Sequence, residues 1–364
     1  MILKKIQNLN FFLIFLLILI AFIGAAGLYS AADGSYYPWA LKHLYRFFAL
    51  LILAIIISIT DIKFIYKYSY TFFFITLILL ISVSIIGEYG KGATRWIRIF
   101  GFNIQPSELI KVAIILSLAK FYHALKFSEL KNLLNLFFPF LIIFVPFILV
   151  LIQPDLGTSI SILFLSVFIL FIVGIRLWKF ILGIILSVVS IPFILNLLKP
   201  YQKNRIISFL NPESDSLGQG YQLIQSKIAL GSGGASGKGF LKGTQSYLEY
   251  LPEKQTDFIF TLIGEEFGFI GTIFIILLFF IIISICFYIS IKSSHNFGRI
   301  IALGTASNLF VYVIMNISMV TGLMPVVGIP LPLISYGGSA MLSILISIGL
   351  VLNVELNASV KKLK

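Results

Sequence analysis

Charge is what this 364-residue chain has least of: Asp, Glu, Lys and Arg make up 11% of it, against about a quarter in soluble domains, while apolar residues reach 59%. That balance excludes a soluble globular domain and leaves an integral membrane protein. Acidic residues are scarcer still, 14 against 27 basic ones, for a net charge of +13. The basic residues are scattered at helix ends with no concentrated patch, so membrane anchoring explains the charge and nucleic acid is not expected as a partner. The single cysteine, Cys286, lies inside an apolar run and excludes an intrachain disulfide. The three histidines, His43, His123 and His295, stand near helix ends at no metal-ligand spacing. No internal repeat is present, so an inverted-repeat transporter gains no support.

What is there is a series of apolar runs of about 18 to 24 residues, each enough to cross roughly 30 Å of hydrocarbon as a helix. Ten spans are expected, at 9–29, 43–60, 68–87, 106–123, 133–152, 157–174, 178–198, 257–291, 299–321 and 336–355. The fold class is therefore all-α, a single polytopic membrane domain over 1–364. The 257–291 run is too long for one perpendicular crossing, so its first part is expected to tilt or to lie among the headgroups. An even number of spans puts both termini on one side. The bias of Lys4, Lys5, Lys63, Lys67, Lys120, Arg176, Lys179, Lys292 and Arg299 puts that side in the cytoplasm. Lys4 and Lys5 before an apolar run imitate a secretory signal, but a run of about 20 residues exceeds the usual signal core, so this is expected to be a retained first span.

The only long polar interruption, about 199–256, then forms a large extracytoplasmic loop between spans seven and eight. Within it, Tyr221, Ile224 and Ile228 are spaced as one apolar helix face, suited either to the bilayer surface or to packing on the protein. Gly231–Gly239 fails the Walker pattern, because Ser232 stands at the first glycine position and Gly239 replaces the Ser/Thr. It is expected to be a flexible turn whose backbone N–H groups could approach an anionic headgroup.

Four polar clusters fall at expected outer membrane boundaries: Gly92–Arg98, Gln105–Lys111, Gln153–Thr158 and the Asp257 stretch. A carboxylate at the edge of the hydrocarbon is costly, which makes Asp257 a functional candidate. Glu108 and Lys111, three residues apart, share a helix face, either as a self-satisfying ion pair or as part of a site. Asp155 or Thr158 suits a helix cap. Arg95 and Arg98 suit phosphate, and Trp96 offers a sugar a flat apolar face or anchors the boundary. On the helix starting near Thr256, Asp257, Thr261, Gly264 and Gly268 are expected on one face, with Glu265 two turns below Asp257. Near the C-terminus Val327–Ser339 interrupts two apolar spans, as backbone that lines a cavity can.

These motifs resemble those of the SEDS family (shape, elongation, division, sporulation) over nearly the whole chain. Ordered matches occur at GATRWI, QPSELIK, QPDLGT, LPEKQTDFIF and PLPLISYGGS. Gly239–Ser246 and Met324–Pro332 resemble the elongation members more than the division members. Ala340 stands where the family pattern has Ser.

The resemblance implies a peptidoglycan glycosyltransferase that polymerises lipid II at the outer face of the bacterial cytoplasmic membrane during elongation. It also implies a class B penicillin-binding protein as partner. It gives Asp257 as the essential acidic residue, matching the family's TDFIF position, and Glu108 and Lys111 as its QPSE-helix pair. Asp257 suits a general base, since one base on the acceptor hydroxyl serves an inverting displacement. Arg95, Trp96, Arg98, Gln105, Glu108, Lys111, Asp155, Thr158, Lys238, Glu253, Thr256 and Ser335 complete the expected substrate-contacting set. Arg95, Arg98, Lys111 or a divalent cation such as Mg or Mn would offset the leaving diphosphate. A lipid-linked precursor flippase and a non-catalytic scaffold are the alternatives.

Overall fold

The computed structural model describes residues 2–358 apart from 91–92, 100–101, 126–133, 184, 186–188, 190–199, 216–217 and 249. After the short α1 (Ile2–Gln7) come α2 (Phe11–Ala31), α3 (Ala40–Ile59) and α4 (Ile62–Ile86). Asn10 caps α2 by accepting from Leu13 N at 2.9 Å, and Asp61 caps α4 through Lys63 N. Then follow α5 (Pro106–Ala124), α6 (Phe137–Ile152) and α7 (Leu156–Ile172). The 199–256 segment carries α8 (Pro200–Leu210), α9 (Gln219–Gly233) and the single turn α10 (Thr244–Tyr247). The chain closes with α11 (Ile259–Lys292), α12 (Asn296–Thr321) and α13 (Gly338–Leu356).

Six of these helices, α2, α3, α4, α11, α12 and α13, are long and apolar enough to cross a membrane, and α6 and α7 are shorter apolar helices. The molecule is thus a multi-pass membrane protein. The expected seventh span, 178–198, lies mostly outside the described residues, although 177–183 are helical. Burial sorts the helices. In α12 and α13, 78% of the spanning window is buried, against 28% in α3 and α4, so the former two form the centre and the latter two face lipid. The lipid-facing side of α3 and α4 carries Phe48, Ile52, Ile56, Phe74 and Ile78. Their inward stripe, His43, Phe47, Leu51, Ala54 and Ser58 on α3, recurs every three or four residues. It meets α13, where a Cβ on Gly349 would come 2.7 Å from Ala54 O.

One feature departs from the all-helical expectation. Residues 88–104 form a small antiparallel sheet, β1 (Glu88–Gly90), β2 (Ala93–Ile99) and β3 (Phe102–Ile104), with Glu88 opposite Trp96 and Arg98 opposite Asn103. The β-favouring Thr94, Trp96, Ile97 and Ile99 of β2 explain it. The 199–256 segment, expected to hold one helix, is helical at α8, α9 and α10. In α9 the buried residues are Leu223, Ser226 and Ala229, while Ile228 is exposed. The packed face is therefore one step round from the Tyr221/Ile224/Ile228 face expected from spacing. It packs on α11, as Gly233 shows: its Cβ would lie 2.1 Å from Gly264 O.

The long α11 is two helices. Gly268 interrupts it with φ 64° and ψ −161°, which accounts for a run too long for one crossing. A side chain there would be strained twice, by the left-handed backbone and by a Cβ only 2.4 Å from Gly237 N. Gly268→Ala is expected to lower stability by about 1–3 kcal/mol, visible as an earlier thermal unfolding midpoint of the purified protein. An unchanged midpoint would contradict this reading of the break.

At the opposite end of the molecule, His295 caps α12 by accepting from Gly298 N on Nδ1 at 2.8 Å. Burial, with His123 beside it, holds that imidazole below its usual range, which keeps Nδ1 available as an acceptor.

Candidate functional site

Polar clusters of the sequence meet at the end of the bundle where α5, α7 and α13 begin. Asp155 is the organiser of one half. It caps α7, accepting from Thr158 N at 3.4 Å and from Thr158 Oγ1 at 2.8 Å. Its other contacts are Gln105 Nε2 at 2.8 Å and the Arg95 guanidinium at 3.9 Å. Arg95 also donates to Pro154 O. Gln105, just ahead of Pro106 and α5, donates its backbone N–H to Ser339 Oγ at 3.0 Å, and Ser339 donates to Asn103 O at 3.1 Å. Strand β3, α5, α7 and the start of α13 are thereby tied at one point.

The second half is built around Asp257, which immediately precedes the first turn of α11. Asn316 of α12 donates from Nδ2 to Asp257 O at 2.9 Å and to Ile329 O at 2.7 Å. Ser335 Oγ donates to Thr256 O at 2.6 Å and accepts from Leu331 N at 2.8 Å, and Tyr336 N donates to Gln255 O at 2.9 Å. The irregular 322–337 segment is therefore stitched to the residues that flank Asp257. Gly328, at φ 73°, lies beside the carboxylate: a Cβ there would come 3.4 Å from Asp257 Oδ2. Gly157 joins the two halves. Its own Cβ would lie 2.3 Å from Val327 O, so only glycine lets α7 approach this segment so closely.

Several expected contacts fall elsewhere. Because strand residues alternate, Arg95 and buried Ile97 face the protein while Trp96 and exposed Arg98 face the other way. The three therefore do not converge. Ser335 and Thr158, 3% and 5% exposed, spend their hydroxyls inside the protein. Thr256 Oγ1 donates to Glu253 Oε2 at 2.9 Å. Thr261 is buried against Ser226, their hydroxyls 2.7 Å apart. Lys238 pairs with Glu265 at 2.7 Å rather than standing open to an anion.

Glu108 and Lys111 are buried one turn deeper, 4% and 1% exposed, and 2.8 Å apart. Tyr312 bridges them, its hydroxyl in hydrogen-bond contact with both, and Lys111 lies 4.1 Å from its ring centroid. Ser343 donates to Glu108 Oε2 at 3.2 Å. Tyr312 and Asn316 are four residues apart on α12, so one helix face holds both the ion pair and the Asp257 segment.

Sequence reasoning missed Tyr312, Asn316 and Arg46 as parts of this assembly. The signal for the first two was two polar side chains at helical spacing inside an apolar run. For Arg46 it was slight: a half-buried arginine of α3 whose guanidinium lies 5.0 Å from the Tyr336 ring centroid and beside Gly338. Among the described residues no three His, Cys, Asp or Glu side chains come together as metal ligands would.

A bundle of apolar helices closing one polar, carboxylate-centred end is the architecture of a membrane enzyme or carrier, and comparison identifies which. The FtsW/RodA/SpoVE family profile, described as "Cell cycle protein", matches residues 6–360, and the chain belongs to that family. It is 43% identical to the Escherichia coli K12 peptidoglycan glycosyltransferase MrdB over 276 residues, covering 75% of this chain and 74% of that one. It is 38% identical to a probable peptidoglycan glycosyltransferase FtsW of Wigglesworthia glossinidia brevipalpis, over 99% of this chain and 97% of that one. Among solved structures, one described as "Structural coordination of polymerization and crosslinking by a peptidoglycan synthase complex" contains a chain that superposes with a TM-score of 0.80 at 29% identity. That match covers 96% of this chain and 98% of the other. The Thermus thermophilus rod shape determining protein RodA shares the fold with a TM-score of 0.72 at 24% identity, over 96% and 98% of the two chains.

Proposed function

We propose that this chain is a peptidoglycan glycosyltransferase that polymerises lipid II into glycan strands at the outer face of the bacterial cytoplasmic membrane, in cell elongation. The observation that carries it is the meeting of five separated motifs at one end of the bundle, in one half organised by Asp155 and one that holds Asp257, joined where Gly157 packs on Val327 O. Asp257 is the general base: it takes the proton of the acceptor hydroxyl as that oxygen attacks the anomeric carbon and the bond to the diphosphate breaks. One base and one displacement invert the centre, turning an α-linked diphosphate into a β-1,4 bond.

The leaving diphosphate needs positive charge. Arg46 and Arg95 are partly exposed cations of this end, and the N-terminus of α13 lies beside Arg46 at Gly338. A divalent cation such as Mg or Mn, held by a carboxylate and the diphosphate itself, would add to that charge. Arg46→Ala is expected to raise KM for lipid II about tenfold or more, the scale of a lost charge-assisted contact. Steady-state polymerisation checks it, and an unchanged KM removes Arg46 from the donor site.

In this reading all of 1–364 is one domain with ten spans, both termini cytoplasmic, and the 199–256 segment outside. The partner is a class B penicillin-binding protein that cross-links the strands. A flippase needs an opening to both sides, whereas Glu108, Lys111 and Tyr312 close on one another beneath the site. Purified protein given labelled lipid II is expected to make polymer with its partner present. Translocation without polymer would return the flippase, and a cell viable on an inactive variant would return the scaffold.

A further inference from the structure

The break in α11 leaves main-chain groups on both sides without helical partners, in a protein where such groups must be satisfied internally. The glycine-rich 234–239 segment satisfies four of them. Lys238 N donates to Glu265 O and Gly239 N to Glu266 O, each at 3.0 Å, on the near side of the break. On the far side Phe269 N donates to Gly234 O at 2.9 Å and Ile270 N to Ala235 O at 3.1 Å. The fit is backbone to backbone: Gly237, at φ 81°, would place a Cβ 2.1 Å from Glu266 O.

Side chains lock this docking. Glu265 is wholly buried, and its Oε1 receives Lys238 Nζ at 2.7 Å, Gln245 N at 3.0 Å and Thr244 Oγ1 at 3.1 Å. Lys238 Nζ also reaches Thr244 Oγ1 at 2.8 Å. The neighbouring Glu266 accepts from Ser30 of α2. On the other side of the same half-helix, Ser226 of α9 joins Thr261 and donates to Val320 O at 2.8 Å.

The half-helix 259–267, which follows Asp257 by one residue, is therefore released from the long membrane-crossing half by Gly268 and held instead by the outer segment. We propose that Lys238 is a positioning residue for the reaction: through Glu265 it fixes the height and direction of this half-helix, and with it the Asp257 carboxylate against the substrate. This rests on Asp257 being the base. A displacement of about 1 Å at a reacting group can cost on the order of 100-fold in rate. A cation that reaches no substrate can then control turnover.

The test compares Lys238→Met, Lys238→Gln and Lys238→Arg with wild type and Asp257→Asn, all as purified full chain with partner, in lipid II polymerisation. Both neutral variants are expected to lower kcat per folded protein by about 10- to 100-fold, with KM within about twofold and an unfolding midpoint lowered because buried Glu265 loses its cation, and Lys238→Arg to restore most of the rate. Hydrogen exchange is expected to speed up in peptides covering 234–239 and 265–270. A raised KM at constant kcat would make Lys238 a substrate contact and overturn the proposal. So would wild-type turnover per folded protein in both neutral variants, or a loss wholly accounted for by the unfolded fraction. If Asp257→Asn polymerises normally, the assignment of the base fails. If that variant is dead while both neutral variants turn over normally, only the role of Lys238 fails.

Discussion

Lys111→Met is expected to destabilise the folded protein by about 3–5 kcal/mol, because it removes one partner of a buried ion pair and leaves the Glu108 carboxylate uncompensated. Tyr312 and Ser343 both donate to Glu108 Oε2, whereas Lys111 donates to Oε1, so the substitution takes from the carboxylate both its cation and the donor on that oxygen. The double variant Glu108→Gln, Lys111→Met removes both charges and is expected to regain much of that stability. Tyr312→Phe keeps both charges and loses only the bridging hydroxyl, for about 1–3 kcal/mol. Thermal unfolding of the four proteins in the same detergent checks the order. If the double variant is less stable than Lys111→Met, the pair is not a mutually compensating unit. This network joins α5, α12 and α13 directly beneath the site, so the same variants are expected to lose activity in proportion to folded protein, with KM unchanged in the remainder.

Much of this arrangement was legible in the sequence because membrane physics writes in long apolar runs. Helices α2, α3, α4, α12 and α13 could be read to within several residues from run length alone. The interruption before α13 and the excess length of α11 were also visible. The break that explains that length was not, because a glycine in a helix is common and only the docking of 234–239 makes Gly268 a hinge point. The sheet at 88–104 was missed for a related reason: a seven-residue β2 flanked by three-residue strands is too short to outweigh neighbouring apolar helices.

For the site, spacing placed Glu108 and Lys111 on one face and Asp155 at a cap, since both depend on local helix geometry. What spacing could not supply was long-range partnership. Tyr312 reaches Glu108 across 204 positions, and Ser339 reaches Gln105 across 234. Arg95, Trp96 and Arg98 were read as one cluster, and strand alternation divides them. Lys238 is expected from sequence among the substrate contacts, and a buried glutamate 27 positions away holds it.

Asp257→Asn carries the largest expected effect on chemistry. Asparagine keeps the size of the side chain and leaves the main chain free to accept from Asn316, so the flanking segment keeps its stitching. What it loses is the ability to take a proton. General base catalysis contributes about 100- to 10,000-fold, so polymerisation is expected to fall by at least that range while lipid II still binds, because the cations and the apolar walls remain.

The decisive measurement is the rate of glycan polymer formation from lipid II by purified wild-type protein and by Asp257→Asn, each with its penicillin-binding partner and matched for folded protein. The account predicts β-linked polymer from the wild type and none above background from the variant, with comparable lipid II binding by both. Polymer formed by Asp257→Asn at the wild-type rate would contradict it, and would move the base out of the site that these motifs assemble.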